Sequence, residues 1–313
     1  MSTAVASQTS TLIIPVYCNK GSLPELFRQI LEVEQQLLAQ KVALQLIFVD
    51  DGSRDASYEK LKKIKADRPQ TVVVKLTRNF GATAACKAGL AFANGDACAL
   101  GSADLQDPLY LVPQMVDHWL AGAKFVACVR EGRDDPPATR VFASFANWTI
   151  RRFVMPTYPK GGFDIALLDR VLWEKLRDAG KSVNSSLMSY WLGWSPVVIP
   201  YRREKRLHDR SMWSFSKKLV YFIDSLMVFS ILPLRLLSAI GITVAFAAIV
   251  YGGVIVTSAV FGERDVPGFA TIVTLLAFFS GIQLAILAAI GEYIWRIFDE
   301  INRRPEAVVE SVL

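Results

Sequence analysis

Two long stretches without a charged side chain occupy the C-terminal third of the chain. Leu236–Phe261 covers 26 residues and Phe269–Ile290 covers 22. As helices they would be about 39 and 33 Å long, each enough to cross a hydrocarbon layer about 30 Å thick. Long helices of soluble proteins usually keep a polar face, whereas here only Ser, Thr and Gln283 interrupt the apolar runs. The two stretches and the short linker between them therefore predict a transmembrane hairpin with both flanks on one side of the membrane.

Basic residues are distributed unevenly around this hairpin. The segment from Arg202 to Lys218 holds seven basic and two acidic residues, and its charge of +5 is nearly all of the chain's +6. Three arginines follow the second stretch, whereas Arg264 is the only basic residue of the linker. Lys and Arg concentrate on the cytoplasmic side of membrane proteins. We therefore expect a multi-pass protein of the cytoplasmic (inner) membrane, with both termini and the large N-terminal domain in the cytoplasm.

The charge and cysteine patterns also exclude several classes of protein. The basic run could bind nucleic acid, but it precedes a membrane span, and a phospholipid surface attracts the same charges. We expect a lipid bilayer as its partner and no nucleic acid. Four cysteines without CxxC spacing and two histidines argue against a disulfide scaffold or a zinc site, so the cysteines should be core residues. No charged segment followed by an apolar one opens the chain, so no signal peptide is expected.

The first 200 residues alternate between strand and helix patterns. A capping box, Ser22 to Glu25, opens the first predicted helix. Alternation of this kind predicts an α/β domain with a mostly parallel sheet, in which ligands bind at the carboxyl ends of the strands. The predicted strands cover residues 11–16, 44–49, 71–76, 97–100 and 125–129, and the predicted helices cover 22–40, 81–94 and 108–121.

Two of these strands deliver acidic residues to that edge. Asp50 to Asp55 follow the 44–49 strand, and Ser102 to Asp107 follow the 97–100 strand. Lone carboxylates at the end of a buried strand are costly without a partner, and a divalent cation bridged to phosphate oxygens is a natural one. Helix capping is the alternative, and it suits Asp55 and Asp107. No GxGxxG or GxxxxGK[ST] motif occurs, so dinucleotide-binding and P-loop enzymes are set aside.

Several longer motifs carry a resemblance to a known family. They are IIPVYCN (13–19), VDDGSRD (49–55), NFG (79–81), SADLQDP (102–108), GGFD (161–164) and GEYIWRIFDE (291–300). In these the chain resembles, over nearly its whole length, family-two inverting glycosyltransferases of the GT-A fold. It is most similar to the branch that uses polyprenyl phosphates, which includes bactoprenol glucosyltransferases and dolichol-phosphate mannose synthases.

The resemblance implies a division of the chain. It consists of a GT-A (Rossmann-like) domain at 1–201, a basic interfacial segment at 202–231, two transmembrane helices within 232–295 (about 236–261 and 269–290) and a cytoplasmic tail at 296–313.

The resemblance also implies a donor site. Asp104 would be catalytic as the ligand of Mg²⁺ or Mn²⁺ on the diphosphate. Ser102 stands where many relatives carry a further aspartate, so metal coordination would rest mainly on Asp104. Asp164, the second catalytic position, would lie near the acceptor, or else is a turn residue before the strand at 165–168. The nucleotide sugar would be bordered by Pro15, Tyr17, Asp50, Asp51, Asn79, Gly81, Ser102 and Gln106.

The implied acceptor is a lipid phosphate, held by the basic segment. Arginine offers a fork of donors to phosphate. Met212 follows Ser211 where relatives commonly carry a cation, so the missing charge would come from Arg210 or its neighbours. The residues expected to bind the lipid phosphate are Arg202, Arg210, Ser211 and Lys217.

Two amphipathic segments should lie near the membrane. Phe215–Phe229 predicts an interfacial helix, or a helix packed only on the catalytic domain, and 140–153 predicts a second interfacial helix. Trp191 and Trp194, with Leu187 and Met188, are expected in the core instead.

The function implied by the resemblance is transfer of a sugar from a nucleotide sugar, with UDP-glucose preferred, to undecaprenyl phosphate. A homo-oligomer such as a tetramer is implied in the same way. Two alternatives stay open. A processive polysaccharide synthase would carry a QxxRW motif and usually more spans, neither of which occurs here. A non-catalytic membrane protein that kept the fold is favoured only by Ser102 and Met212.

Overall fold

A computed structural model describes residues 8–130, 137–159, 162–180, 185–202, 215–230, 232–261, 268–302 and 304–313. The chain divides into two compact units. The first comprises Met1–Ser225 together with Pro305–Leu313, and the second comprises Leu226–Arg304.

An eight-stranded sheet forms the centre of the first unit, in the order β7-β5-β6-β4-β1-β2-β3-β8. β6 is antiparallel to β4 and β5, β8 is antiparallel to β3, and the other neighbours pair in parallel, so the expected mostly parallel sheet is confirmed. The strands are β1 Gln8–Val16, β2 Val42–Asp50, β3 Val72–Leu76, β4 Ala97–Leu100, β5 Phe125–Arg130, β6 Phe163–Asp169, β7 Val197–Tyr201 and β8 Val309–Val312.

Helices cover the sheet and bury its central strands. The residues from Thr11 to Ile14 in β1 and from Leu46 to Asp50 in β2 are all buried, as in parallel strands covered on both faces. The helices are α1 Leu23–Ala39, α2 Ser57–Asp67, α3 Ala82–Leu90, α4 Leu111–Leu120, α5 Pro137–Thr149 with a π-helical continuation Ile150–Val154, α6 Arg170–Arg177, α7 Ser185–Trp191 and α8 Phe215–Phe229.

The strand order reverses at β1. The chain runs from β1 to β2 and β3 on one side of β1 and then returns to β4 on the other side. At such a reversal the connections leave the sheet in opposite directions, which opens a crevice at the carboxyl ends of the two strands. The crevice here lies beyond the ends of β1 and β4, between the two acidic segments found in the sequence.

The second unit consists mainly of two long helices, α9 Leu232–Val260 and α10 Phe269–Ile301. Leu232–Val254 and Phe278–Ile301 are long and apolar enough to cross a membrane, and neither is buried. α9 begins at Leu232, before the predicted start at 236, and α10 continues to Ile301, past the predicted end at 290. A charged residue such as Arg235 or Glu292 ends an apolar run without ending a helix. Most of the linker, residues 262–267, lies outside the described residues.

Three local expectations for the first unit are wrong. Ser22 does not cap α1 through its side chain, because its hydroxyl donates to the carbonyl oxygen of Ala103 at 2.5 Å. α3 ends at Leu90 and not at 94, since the Gln45 side chain bonds the backbone of residues 92 and 94. α4 begins at Leu111 and not at 108.

The tryptophans of the segment around α7 are also placed differently from the prediction. Trp191 and Trp194 are exposed, at 63% and 40%, and are not core residues. Leu187 is buried as expected, while Met188 is half-buried. Leu187 lies one turn before Trp191 on the same short helix, and an apolar pattern alone does not decide which apolar residues of such a helix the core reaches.

Candidate functional site

The carboxylate of Asp51 fastens the end of β2 to the segment before α3. Its Oδ1 accepts a hydrogen bond from the Phe80 backbone N–H at 2.7 Å, and its Oδ2 accepts one from Gly81 at 2.9 Å. The side chain is only 2% exposed. Burial raises the pKa of Asp51, and the two N–H groups partly oppose this by stabilising the charged form. Gly81 has a φ of 99°, a conformation that favours glycine.

Gly52 allows the loop after β2 to approach this segment closely. Its φ is 68°, and a Cβ at this position would lie 2.6 Å from the carbonyl carbon of Arg78. No side chain fits in that space, so only glycine permits the approach. The turn thus brings Asp51 beside the segment that contains Asn79, whose side chain is exposed.

Asp50 lies beside Asp51 but is held differently. It is fully buried; its Oδ2 accepts a hydrogen bond from the Ser53 N–H at 3.4 Å, while its Oδ1 has no hydrogen-bond partner among the described residues. Burial raises the pKa of Asp50. An incompletely paired buried carboxylate is unusual and is typical of functional sites.

The end of β1 joins the same wall of the crevice. Val16 is level with Asp50, its carbonyl oxygen accepts from the Asp51 N–H at 2.8 Å, and the Cys18 N–H donates to the Ser53 hydroxyl at 3.0 Å. Pro15 and Tyr17 are half-buried there.

The opposite wall follows β4. The hydroxyl of Ser102 lies 2.7 Å from Asp104 Oδ1 and 3.1 Å from Asp107 Oδ2, so it bridges the two carboxylates. The Gln106 N–H donates to Asp104 Oδ1 at 3.2 Å. Asp107 is buried and also accepts a hydrogen bond from the Tyr201 hydroxyl at 3.0 Å. Asp104 and Gln106 are half-buried.

The structure therefore gathers the predicted donor-site residues along one edge of the sheet, in two walls. β1 separates β2 from β4, so the walls stand about two strand spacings apart, about 10 Å. Residues on the first wall are Pro15, Tyr17, Asp50, Asp51, Asn79 and Gly81, and those on the second are Ser102, Asp104 and Gln106.

The predicted acceptor residues are only partly described. Asp164 is the second residue of β6, which begins at the same edge because β6 runs antiparallel to β4; its side chain lies outside the described part. Arg202 directly follows Tyr201 and is exposed. Arg210 and Ser211 lie outside the described residues, and Lys217 belongs to α8 with its side chain outside them.

The second wall could hold part of a metal site. No group of three His, Cys, Asp or Glu side chains suited to a metal occurs in the described part of the chain. Asp104, Asp107 and Ser102 nevertheless offer hard oxygen atoms on one loop. Mg²⁺ is commonly bound by one or two carboxylates, with phosphate oxygens and water completing its coordination. The residues present fit a cation shared with a bound phosphate, not one enclosed by protein.

Two residues of this wall were missed in the sequence. Tyr201 was not recognised because its strand, β7, was not predicted, although VVIPY has the β-branched composition of a strand. Asp107 was treated only as a possible helix cap. Its contact with Tyr201, 94 positions away, depends on β7 lying beside β5.

The sheet, its reversal at β1 and the acidic residues beside that reversal define an α/β protein with a candidate ligand site at the carboxyl edge of a mostly parallel sheet. The family model described as Glycosyl transferase family 2 matches residues 11–168, half of the chain. The chain belongs to this family of glycosyltransferases.

Relatives match far beyond that region. The bactoprenol glucosyl transferase of Shigella phage SfII is 29% identical over 307 residues, which cover 96% of this chain and 97% of the relative. The uncharacterized glycosyltransferase YkcC of Bacillus subtilis is 30% identical over 96% of this chain and 93% of its own. Among solved structures, the mannosyltransferase PcManGT from Pyrobaculum calidifontis in complex with GDP-Man and Mn²⁺ covers 89% of this chain and 86% of its own, with 18% identity and a TM-score of 0.44.

Proposed function

We propose that this protein transfers glucose from a nucleotide sugar, UDP-glucose by preference, to a polyprenyl phosphate at the cytoplasmic face of the membrane, with inversion at the anomeric carbon. One observation carries the proposal. The similarity to bactoprenol glucosyl transferases does not end with the sheet but covers 96% of the chain, including the two membrane-length helices. A lipid acceptor requires that the catalytic unit stay beside a bilayer, and these helices supply an anchor.

We assign the two walls of the crevice to different parts of the donor. The first wall, with Asp51, Pro15, Tyr17 and Asn79, would border the base and ribose. Asp104 would hold a divalent cation on the diphosphate, with Ser102 and Asp107 orienting its carboxylate. A cation bound there neutralises the charge that develops on the leaving diphosphate. Ser102 orients Asp104 directly through its hydroxyl and so contributes to the wall without a charge of its own.

The acceptor needs less activation than a sugar hydroxyl would. A lipid phosphate is already ionised at neutral pH, so no strong general base is required. Arg202, exposed at the edge where β7 ends, offers a fork of donors to such a phosphate, and Arg210, Ser211 and Lys217 follow it in sequence. Asp164 at the start of β6 would lie near the same acceptor.

An exposed aromatic patch supports contact with the bilayer. Phe145, Trp148 and Phe153 are 55%, 56% and 42% exposed, and Trp148 contacts the other two rings at centroid distances of 6.2 and 5.8 Å. Phe145 also lies 6.3 Å from the ring of Phe222 on α8. Exposed aromatic clusters with neighbouring basic residues are typical of surfaces that enter the membrane interface. This patch supports assigning both 140–153 and 202–231 to the membrane surface.

The decisive experiment is sugar transfer by the purified full-length protein in detergent. UDP-glucose and undecaprenyl phosphate should yield a lipid-linked glucose, with UDP-GlcNAc and GDP-mannose as competing donors. Asp104→Asn should lower turnover by about 100-fold or more, because electrostatic stabilisation of the leaving group is lost. Asp67→Asn makes the same change at an exposed carboxylate at the end of α2 and should leave turnover as in the wild type.

Two results would contradict the proposal. One is a wild-type protein that transfers no sugar to the lipid phosphate from any of the three donors. The other is an Asp104→Asn variant with normal, metal-dependent turnover. Removal of divalent cations with EDTA should stop transfer, and added Mg²⁺ or Mn²⁺ should restore it.

A further inference from the structure

The C-terminal segment, residues 305–313, is built into the sheet of the first unit. β8 pairs antiparallel with β3, and both backbone groups of Leu313 bond to Val73, at 2.9 and 3.1 Å. The pairing continues beyond the end of β3, where the Thr77 N–H donates to the Val308 carbonyl oxygen at 3.0 Å. The segment thus holds the chain at the residue that directly precedes Arg78–Gly81, the stretch fastened by Asp51.

An ion pair between the buried Lys87 and the half-buried Glu306 connects the same segment to α3. Lys87 is 8% exposed, and its ammonium contacts Glu306 Oε2 at 2.6 Å and the carbonyl oxygens of Ala179 and Gly180 at 2.7 and 2.9 Å. These three acceptors match the three N–H bonds of the ammonium group. Glu306 supplies the negative charge, and removing it would leave the buried Lys87 ammonium without a counter-charge and loosen the hold on α3.

The stretch Arg78–Gly81 is therefore held at three points. Asp51 binds its end, Thr77 holds its start, and Lys87 holds the helix that begins directly after it. Two of the three restraints come from the C-terminal segment. We propose that residues 305–313 are a positioning element of the nucleotide side of the site, with Glu306 and Lys87 as its principal contact. The inference rests on the proposed function in so far as Arg78–Gly81 is taken to border the nucleotide.

Covering the β3 edge is the simpler role for such a strand, because an open edge invites aggregation. The two roles differ in where an altered segment would act. Edge cover alone would affect the stability of the whole unit and leave donor binding as it was. A positioning element acts first on Arg78–Gly81, and hence on the KM for the nucleotide sugar more than on kcat.

Glu306→Gln in the full-length protein separates these roles. Its exposed matched control is Glu59→Gln, which removes a carboxylate from the surface pair with Lys62. We expect Glu306→Gln to raise the donor KM about tenfold, within the range of couplings between contacting residues. Its kcat should stay within about twofold of the wild type, and Glu59→Gln should change neither constant.

Hydrogen–deuterium exchange gives a second readout that needs no substrate. In Glu306→Gln, amide exchange should rise selectively in residues 77–87. A chain ending at Arg304 should show the same increase, and a synthetic peptide of residues 305–313 should reverse it. An increase spread evenly over the unit, or exchange at 77–87 equal to that of Glu59→Gln, would overturn the inference. Because exchange is measured without donor, this result stays readable even if the protein transfers no sugar.

Discussion

At the scale of single residues, two adjacent carboxylates at the end of β2 are held in contrasting ways. Both oxygens of Asp51 accept backbone hydrogen bonds, whereas Asp50 buries one oxygen that has no hydrogen-bond partner in the described part of the chain. Burial raises the pKa of both residues. An incompletely paired buried carboxylate destabilises the fold when it is charged. Such a carboxylate is typical of a functional site, which fits the role proposed for Asp50 beside the nucleotide.

Asp50→Asn should stabilise the free protein at neutral pH. The raised pKa means that folded Asp50 keeps its proton to higher pH than the unfolded chain does, so stability falls as pH rises from the ordinary aspartate pKa through the raised one. The variant escapes this loss and still offers an oxygen to Ser53. We expect a gain of about 1 kcal/mol at pH 7.5, which disappears below pH of about 4. Thermal unfolding of the detergent-solubilised protein across pH measures it.

Asp67→Asn serves as the matched control for this titration, because Asp67 is exposed. Its stability curve should follow the wild type at every pH. An Asp50→Asn variant that is less stable than the wild type at neutral pH would show that the buried Oδ1 of Asp50 has a favourable partner after all. Donor binding should weaken in the same variant, since Asp50 lies on the first wall, which we propose borders the nucleotide.

At the scale of elements, the end of α5 and its π-helical continuation present the aromatic patch described above. If this patch enters the membrane interface, Trp148 should be quenched by lipids brominated on their acyl chains. In lipid nanodiscs, Trp148→Phe should therefore lower the quenchable fraction of tryptophan fluorescence by more than the control variant does. Trp191→Phe removes an equally exposed indole from α7 and is the matched control. Equal quenching in the two variants would show that Trp148 is no closer to the acyl chains than Trp191, which would contradict the placement of the patch in the membrane interface.

The elements also differ in how far sequence could predict them. β1 and β2 are buried on both faces, and their continuous apolar runs predict strands directly. β8 was missed, since Val-Glu-Ser-Val is short and mostly exposed and is defined by a partner more than 230 positions away. The end of α3 was misplaced for a related reason. A side chain from β2 takes over its backbone groups, and such tertiary competition leaves no local signal.

The same distinction applies to the site. Alternation of strands and helices predicts that Asp51 and Asp104 reach one edge, because parallel strands end together. The restraints on these residues are not local. Ser102 is oriented by two carboxylates of its own loop, but Asp107 in turn depends on Tyr201 from a strand at the far edge of the sheet. Sequence thus predicts which residues reach the candidate site, and only the fold identifies what holds them there.

At the scale of the whole molecule, the orientation in the membrane can be tested with single cysteines. The proposed topology places the linker between α9 and α10 outside the cytoplasm and the first unit inside it. Arg264→Cys should react with a membrane-impermeant maleimide in intact cells. Asp67→Cys, at an exposed position of the first unit, should react only after permeabilisation. Labelling of Asp67→Cys in intact cells would show that the orientation is the opposite of the proposed one. Assembly as a homo-oligomer stays a prediction, which size measurement in detergent would test.

The pairing of Leu313 with Val73 has a practical consequence for handling the protein. Leu313 uses both its N–H and its carbonyl oxygen in bonds to Val73, so it lies inside a hydrogen-bonded ladder. A purification tag or fluorescent fusion joined directly to Leu313 would have to emerge from that ladder and would compete with it. Fusions are better placed before β1, and a C-terminal reporter needs a flexible spacer if the enzyme is to be studied in its native form.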